Sequence, residues 1–188
     1  IPDEWTIRNA YIKSPSGKKL VDFNKCNLHV VGYSTPIHQH MTFDELAPRL
    51  HMLSSNPEAI PYRTNYYNRD WGFCVTGAQF QELKNISGLL EVCIESELNS
   101  DGGMTIGELR IPGMRSEEYL VSTYCCHPSM ANDNLSGLLV AAYLARNLLD
   151  GNTPFWSWRF IFVPETIGAI AYLCNNDVAM RKIRGGFV

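Results

Sequence analysis

The order of strands and helices after Gly113 constrains the fold more than any other feature of this sequence. Residues 117–125 and 155–164 are apolar runs rich in aromatic and β-branched side chains, which predicts two strands. Each run is followed by a segment with apolar residues at helical spacing, residues 135–150 and 166–176. Two successive strand–helix units imply a right-handed crossover and a parallel sheet covered on both faces. We therefore predict an α/β fold for this part of the chain.

The first of these helices is predicted to bury one apolar stripe against the sheet. The stripe comprises Leu135, Leu138, Leu139, Ala142, Leu144 and Leu148.

The part of the chain before Gly113 has a different texture. It contains short strand-like runs, and residues 90–95 alternate apolar and polar side chains as a half-buried strand does. Thr42 with Glu45 and Thr76 with Gln79 have the spacing of capping boxes that open short helices. This part is predicted to be mostly β with small helices.

Composition excludes several classes of function. The chain has 188 residues, 45% of them hydrophobic, and a formal net charge of -3, which gives no electrostatic case for nucleic-acid binding. No apolar stretch approaches the roughly 18 residues that a membrane span needs, and the first residues do not resemble a signal peptide. The six cysteines form no CxxC pair and lie in mostly apolar contexts, which favours buried free thiols and a cytoplasmic protein.

Side chains suited to metal chemistry follow both predicted strands. His127 and Asp133 come after the first strand, and Glu165 comes after the second. Because parallel strands end at one edge of a sheet, the crossover would bring all three to the same crevice. An imidazole and a carboxylate are good zinc ligands, and a further carboxylate can take a proton from bound water. We therefore predict His127 and Asp133 as metal ligands and Glu165 as the catalytic base.

Each of these residues also has a simpler explanation. A histidine beside a proline is usually a surface residue, Asp133 before a helix can be an N-cap, and Glu165 can be a first-turn helix charge. Their occurrence at two successive strand ends favours a site. Two ligands and a base nevertheless make an incomplete zinc site, since three protein ligands are usual.

The segment HPSMANDNLSG, followed after a strand by PETIGAIAYL, resembles the di-zinc aminopeptidase family that also includes glutaminyl cyclases and glutamate carboxypeptidases. Over nearly its whole length the chain is similar to bacterial aminopeptidase-like proteins with an inserted domain of unknown function. NLHVVGYSTP, WGFC and STYCCHPSMAN carry that similarity. The resemblance implies part of a parallel-sheet zinc-peptidase core, phosphorylase/hydrolase-like in fold, with one or two zinc ions.

The resemblance also assigns roles and boundaries. It implies that Asp133 bridges two metals, that His127 binds one and that Glu165 is the general base, whereas Thr166 stands where a second glutamate ligand is usual. The remaining ligands are expected beyond Val188. Residues 1–19 would begin the α/β core, 20–111 would be the inserted mostly-β domain, and 112–188 would return to a core truncated at its C-terminus.

The expected function is that of a zinc-dependent aminopeptidase-like hydrolase that cleaves a peptide or an amide small molecule with metal-activated water. The chain by itself is expected to be inactive. Two alternatives stay open: a non-catalytic member that binds a peptide or carbohydrate, and a glutaminyl-cyclase-like acyltransferase. Neither nucleic acid nor a membrane is an expected partner, and homo-oligomerisation is left open.

Residues 60–73, IPYRTNYYNRDWGF, combine arginines with tyrosines and a tryptophan. Such a mixture suits the recognition of a peptide or sugar-like ligand. The competing interpretation is that these aromatic side chains fill a small β core.

Overall fold

Packing divides the chain, whose residues 2–188 are described by this computed structural model, into two units at the bond between Gly102 and Gly103. The strands of the first unit are β1 (Glu4–Lys13), β2 (Lys19–Asp22), β3 (Ile37–Met41), β4 (Leu50–His51), β5 (Phe73–Cys74) and β6 (Leu90–Asn99). Four of them form an antiparallel sheet in the order β2-β1-β6-β3. The short strands β4 and β5 pair in parallel as a separate two-stranded sheet. The prediction of a mostly β unit is thus confirmed for this part of the chain.

Two short α-helices of the first unit begin where the capping boxes were predicted. Helix α1 (Phe43–Leu46) is capped by Thr42, and helix α2 (Gly77–Lys84) is capped by Thr76. In each helix the threonine hydroxyl accepts a hydrogen bond from the backbone N–H of the third helical residue. The side chain of that residue in turn accepts a hydrogen bond from the backbone N–H of the threonine. The local sequence was therefore sufficient to predict where both helices begin.

The core of the first unit lies between one face of the four-stranded sheet and these helices. Alternate residues of β1 and β6, such as Ile12 and Val92, are completely buried and pack with Phe73 of β5 and Leu83 of α2. This alternation follows from the period of two along a strand.

The second unit contains β7 (Gly107–Ile111), β8 (Arg115–Cys125), β9 (Trp156–Pro164) and β10 (Ile183–Phe187). They form one sheet in the order β10-β8-β9-β7. Strands β8, β9 and β10 are parallel, and β7 is an antiparallel edge strand. The mixed α/β architecture with parallel strands is therefore confirmed.

Helices cover both faces of this sheet. Helix α3 (Asn132–Asp150) packs on the face that presents Phe160, and helix α4 (Ile167–Asn175) packs on the face that presents Ile161 and Val163. A short helix α5 (Asp177–Met180) leads into β10.

The apolar stripe predicted for α3 is partly wrong. Leu135, Leu139 and Ala142 are exposed, whereas Ala141 and Ala145 are buried against the sheet. Ala141 and Ala145 pack with Phe160, and Leu144 and Leu148 of the predicted stripe pack against the same cluster.

A buried ionic network ties the strands of the second unit to α4. Glu118 of β8 is completely buried and accepts from Arg159 Nε of β9 at 2.6 Å and from Arg110 Nη2 of β7 at 2.8 Å. Arg159 also contacts Glu108 and donates to the Tyr172 hydroxyl of α4 at 3.0 Å. Because a buried charge is costly unless it is paired, this network fixes α4 on the sheet.

Strand pairing shows where the segments that flank residues 20–111 pack. Strand β1 pairs along its length with β6, so residues 4–13 pack within the first unit. Strand β7 pairs with β9 and belongs to the second unit. Whether residues 20–111 are an insertion stays a prediction. Among residues 2–188, no helix has the length and apolar composition to cross a membrane.

Candidate functional site

The C-terminal ends of β8 and β9 lie level with each other. Their register pairs Tyr124 with Val163 and Cys125 with Pro164, so the two chains leave the sheet at the same point. The polar residues that follow each strand therefore meet at one sheet edge, as the crossover predicts. We call the group formed by Tyr124, Cys126, Asp133 and Glu165 the strand-end cluster.

Two direct hydrogen bonds define the strand-end cluster. The Cys126 thiol donates to Glu165 Oε2 at 2.9 Å, which joins the loop after β8 to the loop after β9. The Tyr124 hydroxyl donates to Asp133 Oδ1. Each predicted carboxylate is thus held by a neighbouring hydrogen-bond donor.

The cluster shifts the acidity of both donors. The hydrogen bond to Asp133 raises the pKa of Tyr124 to about 12, with further contributions from desolvation and from the charges of Asp133 and Glu165. Desolvation, followed by the bond to Glu165, raises the pKa of Cys126 to about 11. A thiol with this pKa is protonated at neutral pH, so Cys126 acts as a hydrogen-bond donor and is not an activated nucleophile.

Asn134 anchors the start of α3 to the end of β8. Its Nδ2 donates to Thr123 Oγ1 at 2.9 Å and to the Tyr124 carbonyl at 3.1 Å. A Cβ on Gly137 would lie 2.2 Å from Asn134 Oδ1, so only glycine leaves room for this side chain. Asp133 and Asn134 depart from helical geometry, and the peptide bond between them is cis.

The loops that follow β8 and β9 each contain a residue with a strained backbone. Ser129 and Thr166 both have φ of 58°, a region that bulky or β-branched residues rarely adopt. Thr166 lies between Glu165 and the first residue of α4, and the Ile167 N–H donates to the Glu165 carbonyl at 2.6 Å. Glu165 is therefore presented on a tight turn, a setting in which strain commonly accompanies function.

His127 occupies a different position from the carboxylates. Its side chain is half-buried, and Nδ1 lies 2.7 Å from the Pro128 carbonyl oxygen. Within residues 2–188, no three side chains of His, Cys, Asp or Glu converge as a metal site would require. The structure thus brings Asp133 and Glu165 into one cluster and leaves the metal-ligand assignments of His127 and Asp133 as predictions.

Sequence reasoning missed two members of the cluster. Tyr124 was placed within the predicted strand 117–125 and given no role, and the cysteines were expected to be buried free thiols. Cys125 and Cys126 are exposed, and so is Cys174, although all six cysteines are free as predicted. The usable signal was register, because Tyr124 and Cys126 immediately flank the residue at which β8 leaves the sheet.

A family model described as a domain of unknown function, DUF2172, matches residues 4–97, which is half of the chain. The chain belongs to the DUF2172 family. The matched segment lies within the first unit, so the strand-end cluster is outside it.

Two similar proteins come from Clostridium acetobutylicum. One is named "Putative polysaccharide biosynthesis protein with aminopeptidase-like domain"; it is 46% identical over 188 residues, which are 100% of this chain and 42% of the relative. The other is a crystal structure described as a "putative peptidase", with a TM-score of 0.91 and 45% identity over 99% of this chain and 43% of that one. This DUF2172 chain thus spans less than half of the length of the relatives it matches. Their names agree with the peptidase-like class that the sequence predicts and specify neither zinc nor a glutaminyl cyclase.

Proposed function

We propose that this chain supplies part of the active site of an aminopeptidase-like hydrolase that cleaves peptide or amide bonds and uses zinc. The observation that carries the proposal is that Asp133 and Glu165, from two different loops, lie at the ends of two parallel strands, each held by its own donor, Tyr124 and Cys126 respectively. The aminopeptidase-like and peptidase names of the two Clostridium proteins support the same reaction class.

The donor set fits zinc in kind but not in number. An imidazole at His127 and a carboxylate at Asp133 are the ligand types that zinc prefers, and Asp133 is exposed. Three protein ligands are usual at a catalytic zinc, and no group of three converges within residues 2–188. His127 and Asp133 would therefore hold the ion together with ligands from elsewhere in a longer polypeptide. When bound, zinc would polarise the scissile carbonyl and increase the acidity of water.

The remaining chemistry belongs to residues of this chain. Glu165 would accept a proton from water, and Cys126 would hold one oxygen of its carboxylate so that the other is free to receive that proton. Tyr124 would keep the Asp133 carboxylate oriented by its hydrogen bond. The strained Thr166 turn would keep Glu165 at the sheet edge.

The test combines metal analysis with peptide hydrolysis on the longest polypeptide that contains this chain. We expect bound zinc in the parent protein, release of N-terminal residues from a peptide library, and loss of both in Asp133→Ala. Asp101→Ala, which removes an exposed carboxylate from a turn of the first unit, is the control and should change neither. Stoichiometric zinc retained by Asp133→Ala would reject this residue as a ligand.

A non-catalytic binding function is the second candidate. It is favoured by one observation, namely that the described residues contain no converging set of three metal ligands. In that case the same polypeptide would bind peptides without releasing any amino acid, whether or not zinc is added. Hydrolysis that depends on Glu165 would exclude this alternative.

A further inference from the structure

The first unit carries a group of neighbouring aromatic rings, whereas the strand-end cluster belongs to the second unit. The rings of Trp5 and Tyr33 are stacked, with centroids 5.8 Å apart and an angle of 19° between their planes. The ring centroids of Tyr33 and Tyr66 are 5.3 Å apart. Tyr66 is 47% exposed and the adjacent Tyr67 is 71% exposed. We call these four residues the aromatic platform. All four lie in the segment matched by the DUF2172 model.

The aromatic platform does not serve to fill the core. The buried cluster of the first unit is built from other residues, and of the platform only Trp5 packs at its border. An aromatic side chain that contributes only to folding would gain more by being buried. Two large rings left in solvent beside two stacked ones instead form the kind of surface on which ligands bind.

The backbone under the platform is strained and firmly held. Tyr33 has φ of 64° and Tyr66 has φ of 43°, values unusual for bulky residues. Gly32, next to Tyr33, fixes the other loop: its N–H donates to the Arg63 carbonyl and its carbonyl accepts from the Asn65 N–H, both at 2.8 Å. Strain that the surrounding hydrogen bonds maintain is a feature of binding sites and active sites.

Polar groups without partners concentrate in the same segment. Among residues 2–188, the buried side-chain atoms that lack a hydrogen-bond partner are Thr64 Oγ1 and Asn65 Nδ2. The two residues form the dipeptide before Tyr66. Native proteins pair nearly all buried polar atoms, so the position of these two beside a strained tyrosine is unusual.

The polar groups beside the platform indicate the class of ligand. Arg69 is paired with Asp3, and Arg63 Nη1 lies 2.7 Å from the ring nitrogen His51 Nδ1. In sequence the two exposed tyrosines are flanked by two amides, Asn65 and Asn68, and carry hydroxyl groups of their own. An aromatic face beside hydrogen-bonding groups is complementary to a sugar ring, which has apolar C–H faces and a belt of hydroxyl groups.

We propose that the aromatic platform binds a carbohydrate chain, with sugar rings stacked on Tyr66 and Tyr67. This inference is independent of the proposed hydrolase function, because every residue that carries it lies in the first unit. It assigns a ligand class to a part of the chain for which the strand-end cluster provides no role.

Calorimetric titration of the protein with three neutral hexasaccharides tests the proposal; the probes are cellohexaose, maltohexaose and chitohexaose. We expect at least one of them to bind, with a dissociation constant of roughly millimolar or below. Tyr67→Ala should weaken that binding about tenfold, as expected for a lost stacking contact. Tyr67→Phe should retain it, because the ring remains.

Tyr143→Ala is the matched control, since Tyr143 is 63% exposed on α3 of the second unit. This variant should bind the hexasaccharide as the parent protein does. Failure of all three hexasaccharides to bind the parent protein, or equal binding by Tyr67→Ala, would overturn the proposal. A neutral hexapeptide is titrated in parallel, and binding of the peptide alone would assign the platform to peptides instead.

Discussion

All four non-glycine residues with a left-handed backbone, among residues 2–188, lie in two places: Tyr33 and Tyr66 in the aromatic platform, Ser129 and Thr166 beside the strand-end cluster. Both regions therefore store strain in loops that rigid strands support. Their side chains differ in kind. The platform presents aromatic rings, whereas the cluster presents a thiol, a phenol and two carboxylates.

This difference separates binding from chemistry. Stacked rings provide contact area with no group that transfers a proton at neutral pH, so the first region is suited to holding a ligand. The second region places two carboxylates at one sheet edge, each beside its own hydrogen-bond donor, an arrangement suited to proton transfer. The same structural device, a strained loop on a β framework, thus carries two different sets of side chains, and we propose a different function for each.

Replacing Glu165 should have the largest effect and should affect only one region. Glu165→Gln keeps the size of the side chain and removes the proton acceptor, so hydrolysis by the longest polypeptide that contains this chain should fall roughly 10²- to 10⁴-fold. Zinc content and carbohydrate binding should not change. Peptide release measured by mass spectrometry, together with the saccharide titration, checks both expectations.

Glu97→Gln is the control, because Glu97 is an exposed carboxylate of β6 that pairs with Arg8. Its hydrolysis rate should equal that of the parent protein. Unchanged turnover by Glu165→Gln would reject Glu165 as the catalytic base and, with it, the catalytic role of the strand-end cluster.

Breaking the buried ionic network should destabilise the second unit strongly. Glu118→Ala leaves Arg159 buried without its main partner, for which a loss of about 3–5 kcal/mol in unfolding free energy is expected. Urea unfolding of the chain measures this loss. Arg8→Ala, at the exposed pair in the first unit, should give no measurable change. Equal effects of the two substitutions would show that the network does not hold α4 on the sheet.

A methyl group at Gly137 should disturb the strand-end cluster locally. The new Cβ would clash with the Asn134 side chain and displace it from Thr123 and Tyr124, at an expected cost of roughly 1–3 kcal/mol. Gly103→Ala is the control, because nothing lies within 4 Å of a Cβ there. Thermal unfolding of both variants provides the measurement, and similar stabilities would exclude a special role for Gly137.

Local sequence signals predicted much of this architecture. The capping boxes at Thr42 and Thr76 and the parallel pairing of β8 with β9 follow from patterns that involve only neighbouring residues or successive elements. The buried face of α3 was predicted less well, because the choice of Ala141 over Leu139 depends on how closely the helix approaches the sheet. That distance is set by tertiary packing, which hydrophobic periodicity does not contain.

The candidate site was predictable in location but not in detail. Topology alone placed Asp133 and Glu165 at one sheet edge. The direction of the His127 side chain depends on the loop after β8, where Ser129 adopts a left-handed conformation that no sequence pattern indicated. The hydrogen bond from Cys126 to Glu165 joins residues 39 positions apart, so it depends on how two loops fold and no local sequence pattern indicates it.

The smallest expected effect is a difference in the pH dependence of stability between the two units. His29 of the first unit is buried with Nδ1 2.7 Å from the Cys74 carbonyl oxygen, and desolvation lowers its pKa below the usual 6.5. The unfolded chain therefore binds a proton more readily than the folded one as the pH falls below about 6.5. The stabilisation is present above that pH and is lost progressively below it, towards the lowered pKa of the folded state.

At the strand-end cluster the pH dependence of stability has the opposite sign. The pKa of Tyr124 is raised to about 12, so its contribution is complete below the ordinary value of 10 and is lost as the pH rises from 10 to 12. Urea unfolding at pH 5, 7 and 10.5 measures how the unfolding free energy depends on pH. We expect His29→Gln to reduce the loss of stability between pH 7 and pH 5 (the acid limb), and Tyr124→Phe to reduce the loss between pH 7 and pH 10.5 (the alkaline limb). His40→Gln, at an exposed position on β3, is the control for the acid limb and should leave it unchanged. If His29→Gln loses as much stability between pH 7 and pH 5 as the parent protein does, the acid sensitivity comes from carboxylates instead. The contrast between the two units would then rest on their side chains for binding and chemistry and not on the groups that control their stability.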